Sequence, residues 1–90
     1  MTKTELIETI ADHMGVSRAN ARIFIDTFTD VVSNALQNGE KVTISGFGAF
    51  LVERKPPRKG RDPRNGAPIS IPAKNVVKFR PGAELNLRIN

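Results

Sequence analysis

Ninety residues with 14 Lys and Arg against 9 Asp and Glu, one histidine and no cysteine describe one small basic domain. Lack of cysteine excludes a disulfide framework, and His13 as the lone histidine excludes a structural zinc site, so association with another chain is the support left to a domain of this size. No run approaches the roughly 20 apolar residues of a membrane span, and the first residues lack the apolar core of a signal peptide, so the chain is expected to work inside the cell and without a membrane.

Thr2-Lys3-Thr4-Glu5 reads as a capping box, with Thr2 as N-cap and Glu5 reaching back. Leu6, Ile7, Ile10, Ala11 and Met14 then recur at helical spacing until Gly15. Ser17 caps a second helix, on which Ala21, Phe24, Phe28, Val31, Val32, Ala35 and Leu36 form one apolar stripe ending before Gly39. Together they predict a helical hairpin over residues 1–38. Helix-turn-helix readers share this outline, but the second helix carries Asp26 and Asp30, and carboxylates repel phosphate. It therefore reads as a core and interface helix.

After Gly39 the period changes to two. Lys41 to Ser45 alternates, Gly46-Phe47-Gly48 is a tight turn, Ala49 to Lys55 is a second strand, and Val76 to Arg80 is a third, broken by Pro81-Gly82. This predicts a three-stranded antiparallel sheet over 41–55 and 74–80. A short closing helix follows over 83–90, with Leu85 and Ile89 on one face. The fold class is α+β.

Residues 56–73 differ from the rest. Pro56, Pro57, Pro63, Pro68 and Pro72 punctuate them, and Ile69 and Ile71 are the only large apolar side chains, too few for a core. Asp62-Pro63-Arg64-Asn65-Gly66 is strong turn chemistry, and Ile69-Ser70-Ile71 alternates like a strand. The expectation is a protruding two-stranded arm, with six residues per strand reaching roughly 20 Å. An isolated hairpin is marginally stable in water, so the arm is expected to be mobile until it meets its partner.

Charge follows the same division. Residues 1–52 hold four basic and six acidic residues, whereas residues 53–80 hold nine basic and two acidic. A basic block beside a near-neutral body points to a polyanionic partner. Arg54, Lys55, Arg58 and Lys59 on the outward strand, and Lys74, Lys78 and Arg80 on the return, suit phosphates, which position a protein without reading sequence. The backbone of Gly46, Phe47 and Gly48 offers N–H groups for another phosphate. At the tip, Pro63 stands between Arg61 and Arg64, with Asn65 beside them. Minor-groove benders insert an apolar wedge while cations hold the groove, and proline is a rigid wedge with no N–H to strand.

Without the arm only about 70 residues remain to fold, near the lower limit for an independent domain. Phe24, Phe28, Val32 and Leu36, with Phe47, Phe50 and Phe79, exceed what so small a body covers, and are expected to form the core of a two-fold dimer. Enzymatic readings fail. Asp12 and His13 are helix neighbours that face apart, no Ser is paired with a base in a known motif, and Gly46-Phe47-Gly48 lacks nucleotide-loop spacing. No cofactor, metal or small-molecule ligand is expected.

The chain resembles the HU/IHF family of bacterial DNA-bending proteins along its whole length. The matching segments are Lys3-Thr4-Glu5-Leu6-Ile7, Gly39-Glu40-Lys41-Val42, Ile44-Ser45-Gly46-Phe47-Gly48-Ala49-Phe50, Arg58-Lys59-Gly60-Arg61-Asp62-Pro63-Arg64-Asn65-Gly66 and Phe79-Arg80-Pro81-Gly82. The resemblance implies an intertwined homodimer in the cytoplasm and nucleoid, with two arms entering the minor groove of double-stranded DNA. Bent, nicked and junction forms are the preferred ligands it implies. Pro63 is then the intercalating wedge, flanked by Arg61 and Arg64, and phosphates are held near Lys3, at the Gly46–Gly48 turn and along the stem. It further implies that Lys3 pairs with Asp26 and exchanges that partner for phosphate.

The departures from the family pattern are Asp62 where many members have Asn, Asn65 for the common Thr, the stiffening Pro56-Pro57, and Ala83 and Asn86 where many have lysine. A short C-terminus without obvious base-reading groups favours HU-like, weakly selective binding over IHF-like site choice. Two other readings remain: a basic-hairpin RNA binder, whose A-form target would fit a B-DNA wedge poorly, and a structural dimer whose arm meets an acidic protein.

Overall fold

Local capping chemistry sets the helical hairpin. In the computed structural model, which describes residues 1–90, α1 spans Lys3–Met14 and α2 spans Arg18–Gln37. The Thr2 hydroxyl accepts the Glu5 N–H at 3.2 Å, as a capping threonine should. Glu5 reaches back to Thr2 through the hydroxyl: Glu5 Oε1 accepts a hydrogen bond from Thr2 Oγ1 at 3.2 Å. A hydroxyl donates and accepts at once, so one side chain serves both contacts. Gly15 ends α1 at φ 68, and the Ser17 hydroxyl accepts the Asn20 N–H at 3.1 Å to start α2.

Ile7, Ala11, Ala21 and Ile25 form the core of the hairpin, with Ile10 packed against it. The single stripe expected on α2 divides into two. Ala21, Ile25 and Val32 are buried, and Ile25 lies outside the expected set. Phe24 and Phe28 stack with centroids 6.5 Å apart yet remain 50% and 38% exposed. The reason is rotational: at about 100° per residue, the Phe24–Phe28 row is centred about 60° around the helix from the Ala21–Ile25 row.

Residues 42–89 build strands and a closing helix: β1 Val42–Ile44, β2 Gly48–Lys55, β3 Arg58–Arg61, β4 Pro68–Ile71, β5 Lys74–Pro81 and α3 Ala83–Ile89. β1, β2 and β5 form one antiparallel sheet in that order, and β3 pairs with β4 in a second. Three boundaries depart from expectation. β1 has three residues where 41–45 was expected. β5 starts at Lys74, at the expected bound, but runs one residue past 80, because Pro81 still pairs with Gly48. Each arm strand has four residues, not six, because Pro56, Pro57 and Pro72 cannot donate to the ladder. Pro81 closes β5 opposite Gly48, a terminal position that proline tolerates.

On one face of β2 and β5, Phe79 packs against Phe50 at 4.9 Å and against Phe47 at 5.3 Å between ring centroids. Gly48 makes this possible. A Cβ there would stand 2.6 Å from both the Arg80 carbonyl oxygen and the Phe79 ring. A Cβ on Gly60 would stand 2.9 Å from the Ile71 Cδ1 methyl, the far end of a flexible side chain, with Ile71 Cγ1 and Ile69 Cγ1 at the ordinary contact distances of 3.6 and 3.9 Å. Gly48→Ala should therefore cost about 1–3 kcal/mol, as overpacking does, while Gly60→Ala leaves unfolding almost unchanged. Thermal or urea unfolding of the two variants checks this.

Candidate nucleic-acid interface

The arm inherits its geometry from the sheet beneath it. β2 and β5 pair without a bulge from Gly48↔Pro81 to Lys55↔Lys74. Carrying that pairing outward by three residues on each strand gives Arg58↔Ile71, which is where the β3–β4 ladder begins. The prolines at the arm base remove ladder hydrogen bonds but leave the register intact. Directly opposed residues share a face of an antiparallel pair. Lys55, Lys74, Lys78 and Arg80 therefore share one face of the β2–β5 pair, and Phe50, Phe79, Val52 and Val77 the other, which also carries Arg54. On the arm, Lys59 and Arg61 lie on one face, and Arg58 lies with Ile69 and Ile71 on the opposite one.

The stem cations are not neutralised. Of the nine cations in residues 53–80, Arg64 alone is in an ion pair. Lys55 and Lys74 sit directly opposite one another, an arrangement of like charges that costs stability. With Arg58 they line a cleft of about 270 Å³ whose other walls are Pro56, Ile71 and Pro72. Three cations around a small concavity are suited to a phosphate group.

The tip is a closed loop. Asp62 N–H donates to the Ala67 carbonyl at 2.8 Å, and Gly66 N–H, at φ 71, donates to the Asp62 carbonyl at 2.8 Å. Two side chains complete it. Asp62 Oδ1 accepts the Arg64 N–H at 2.9 Å, and Asn65 Oδ1 accepts the Ala67 N–H at 2.9 Å. Both are Asx turns, in which a side chain takes the N–H two residues on. Arg61 Nη1 donates to the Gly66 carbonyl at 3.1 Å. The Arg64 guanidinium also holds Asp62, through Nε to Oδ1 at 3.3 Å and Nη2 to Oδ2 at 3.2 Å. These contacts from Arg64, side chain first and backbone N–H second, lower the Asp62 pKa below the ordinary carboxylate value. Pro63 is exposed at the apex.

Elsewhere the candidates diverge. Lys3 Nζ stands 2.7 Å from Asp26 Oδ1, so the pair implied by the family resemblance is formed, with both side chains about half exposed. The turn between β1 and β2 is less open than its sequence implied. Its Phe47 N–H is already given to the Ile44 carbonyl at 3.0 Å, and the Glu84 carboxylate lies against Gly46, where a Cβ would meet it at 2.9 Å. A carboxylate there counts against a phosphate at that turn, and nothing in the local sequence of the turn signalled it. Among the expected dimer-core residues, Phe24, Phe28, Phe47 and Phe79 are exposed, Leu36 and Phe50 are half-buried, and Val32 is already buried within the chain.

Comparison with known proteins gives a consistent picture. The sequence pattern of the family described as "Bacterial DNA-binding protein" matches residues 1–90. Integration host factor subunit alpha of Xanthomonas campestris pv. campestris (strain B100) is 44% identical over 89 residues, covering 99% of this chain and 90% of that protein. An Anabaena HU–DNA cocrystal structure superposes with a TM-score of 0.94 at 29% identity, covering 99% of this chain and 97% of that one. HU from Thermotoga maritima superposes with a TM-score of 0.73 at 30% identity over the whole of both chains.

Two outcomes are expected of the free protein. Lys74→Gln removes the like-charge opposition and should stabilise the fold by about 0.2–1 kcal/mol, measured by urea unfolding. The Asp62 carboxyl should titrate below the ordinary aspartate range in an NMR pH series, and Arg64→Gln should return it toward that range. The sign follows from the cause. Pairing favours the ionised form, so it is complete above the ordinary aspartate pKa and is lost as pH falls through the lowered value.

Proposed function

The chain belongs to the bacterial DNA-binding protein family, and from that footing we propose that it is an architectural protein that bends duplex DNA in the nucleoid, with little sequence selectivity. It acts as a homodimer whose two arms enter the minor groove. Pro63 wedges between base steps, Arg61, Arg64 and Asn65 line the groove, and the stem cations hold phosphates. Unstacking a step costs a few kcal/mol, offset by the extra contact that bent DNA makes with the protein. The observation that carries this reading is the exposed Pro63, held at the apex of a hydrogen-bonded loop whose ladder keeps the register of the sheet.

The roles divide by energy. Arg54, Lys55, Arg58, Lys59, Lys74, Lys78 and Arg80 supply most of the affinity, which is electrostatic and independent of base sequence. Pro63 and its neighbours supply bending and the preference for distorted DNA. Lys3 contributes by leaving Asp26 for a phosphate. The partner chain covers the aromatic residues left exposed, Phe24, Phe28, Phe47 and Phe79. Such a dimer brings two basic arms to one duplex.

One observation favours a second reading. The 44% identity is to a protein named as a subunit of integration host factor. On that reading the chain works beside a different subunit and prefers particular sites. Co-expression with a paralogous chain, followed by mass measurement of the native complex, distinguishes a heterodimer from a homodimer.

The central test is a bend assay on intact, nicked and four-way-junction DNA across a salt series, with the solution mass measured in parallel. A mass of twice the chain is expected. Log affinity should fall linearly with log salt, by about 0.9 for each phosphate neutralised. Pro63→Ala should lose bending and the preference for nicked DNA more than it loses affinity. Equal bending by both proteins removes the wedge assignment. Failure to bind duplex DNA at low salt, or preference for duplex RNA, removes the reading as a whole.

A further inference from the structure

The arm tip is less cationic than its two arginines imply. Asp62 is the one carboxylate between Glu53 and Glu84, and it adjoins the wedge residue Pro63. It receives three contacts from Arg64, from the backbone N–H, Nε and Nη2, at 2.9, 3.3 and 3.2 Å. The carboxylate is thereby fixed in the loop and retains 17% of its side-chain exposure, whereas the Arg64 side chain retains 87%. Neighbouring residues are about 3.8 Å apart along the chain. A tip that inserts Pro63 into a groove therefore takes the Asp62 charge in with it.

We propose that Asp62 is a specificity-determining residue of the arm: by neutralising Arg64 and carrying a carboxylate to the groove, it turns the tip away from narrow, electronegative minor grooves and toward wide or interrupted ones. The inference rests on the minor-groove reading given above. Narrow minor grooves, as in A-tracts, concentrate negative potential and attract inserted arginine. Arg61 and Arg64 without Asp62 would be drawn there. With Asp62 present the tip retains a single net positive charge. A nicked or kinked site lacks that concentrated potential and accepts the wedge at less unstacking cost. Asp62 also stays ionised, because the arginine contacts that hold it favour its charged form. The charged groups at the tip are Arg61, Asp62 and Arg64.

Asparagine separates the two things Asp62 does. Asp62→Asn retains an oxygen for the Arg64 N–H and removes the charge, whereas Asp62→Ala removes both. The experiment measures affinity of the wild type and both variants for an A-tract duplex and for a nicked duplex of equal length, at several salt concentrations. Asp62→Asn should bind both more tightly and gain more on the A-tract, narrowing the nicked-over-A-tract preference about three- to tenfold, with a salt slope steeper by about 1 per arm. Asp62→Ala should narrow the preference similarly and bend less. An unchanged preference in Asp62→Asn overturns the proposal, including the case where Asp62→Ala alone shifts it, since the acceptor and not the charge would then be responsible. Wild-type binding with that unchanged preference removes this inference alone. Absence of duplex binding by the wild type removes the proposed function and this inference with it.

Discussion

The pairing of β2 with β5 determines where the stem cations stand and sets the register that the arm continues. It runs without a bulge from Gly48 opposite Pro81 to Lys55 opposite Lys74, and β3 and β4 resume it beyond the prolines. Strict alternation sorts the side chains: aromatic residues fall on one face of the β2–β5 pair, and Lys55, Lys74, Lys78 and Arg80 on the other. A one-residue slip would exchange the two faces. Gly48 protects the register at its inner end, where the Phe79 ring and the Arg80 carbonyl leave no room for a side chain.

Two kinds of surface are left unsatisfied by the single chain. Phe24, Phe28, Val77 and Phe79 remain exposed, as do Leu87 and Ile89 on α3. The stem keeps Lys55 and Lys74 in direct opposition, and neither is in an ion pair. Exposed apolar area is relieved by another apolar surface, and opposed like charges by an anion. The chain thus leaves an apolar surface and a basic surface uncovered, in different residues, and membership of a DNA-binding family accounts for the second.

The arm tip obeys a different logic. Asp62, Asn65 and Gly66 close it through local bonds, and no core is needed to hold its shape. The same Asp62 that fixes the turn cancels the charge of Arg64. Loop geometry and the charge at the tip therefore meet in one side chain, beside the exposed Pro63.

Much was legible in the chain itself. The caps at Thr2, Gly15 and Ser17, the change of period after Gly39 and the turn at Asp62–Gly66 depend on neighbours within a few residues, so sequence determines them. The basic block of residues 53–80 is likewise a property of composition. Tertiary structure alone decided which α2 residues are buried, because Ile25 and Phe24 are equally apolar and only packing against α1 separates them. It decided that β5 takes in Pro81, because pairing opposite Gly48 carries the ladder one residue past Arg80. It brought the Glu84 carboxylate against Gly46, a contact between positions far apart in sequence. Local rules specify caps, turns and charge density; faces, register and long-range contacts exist only once distant segments of the chain meet.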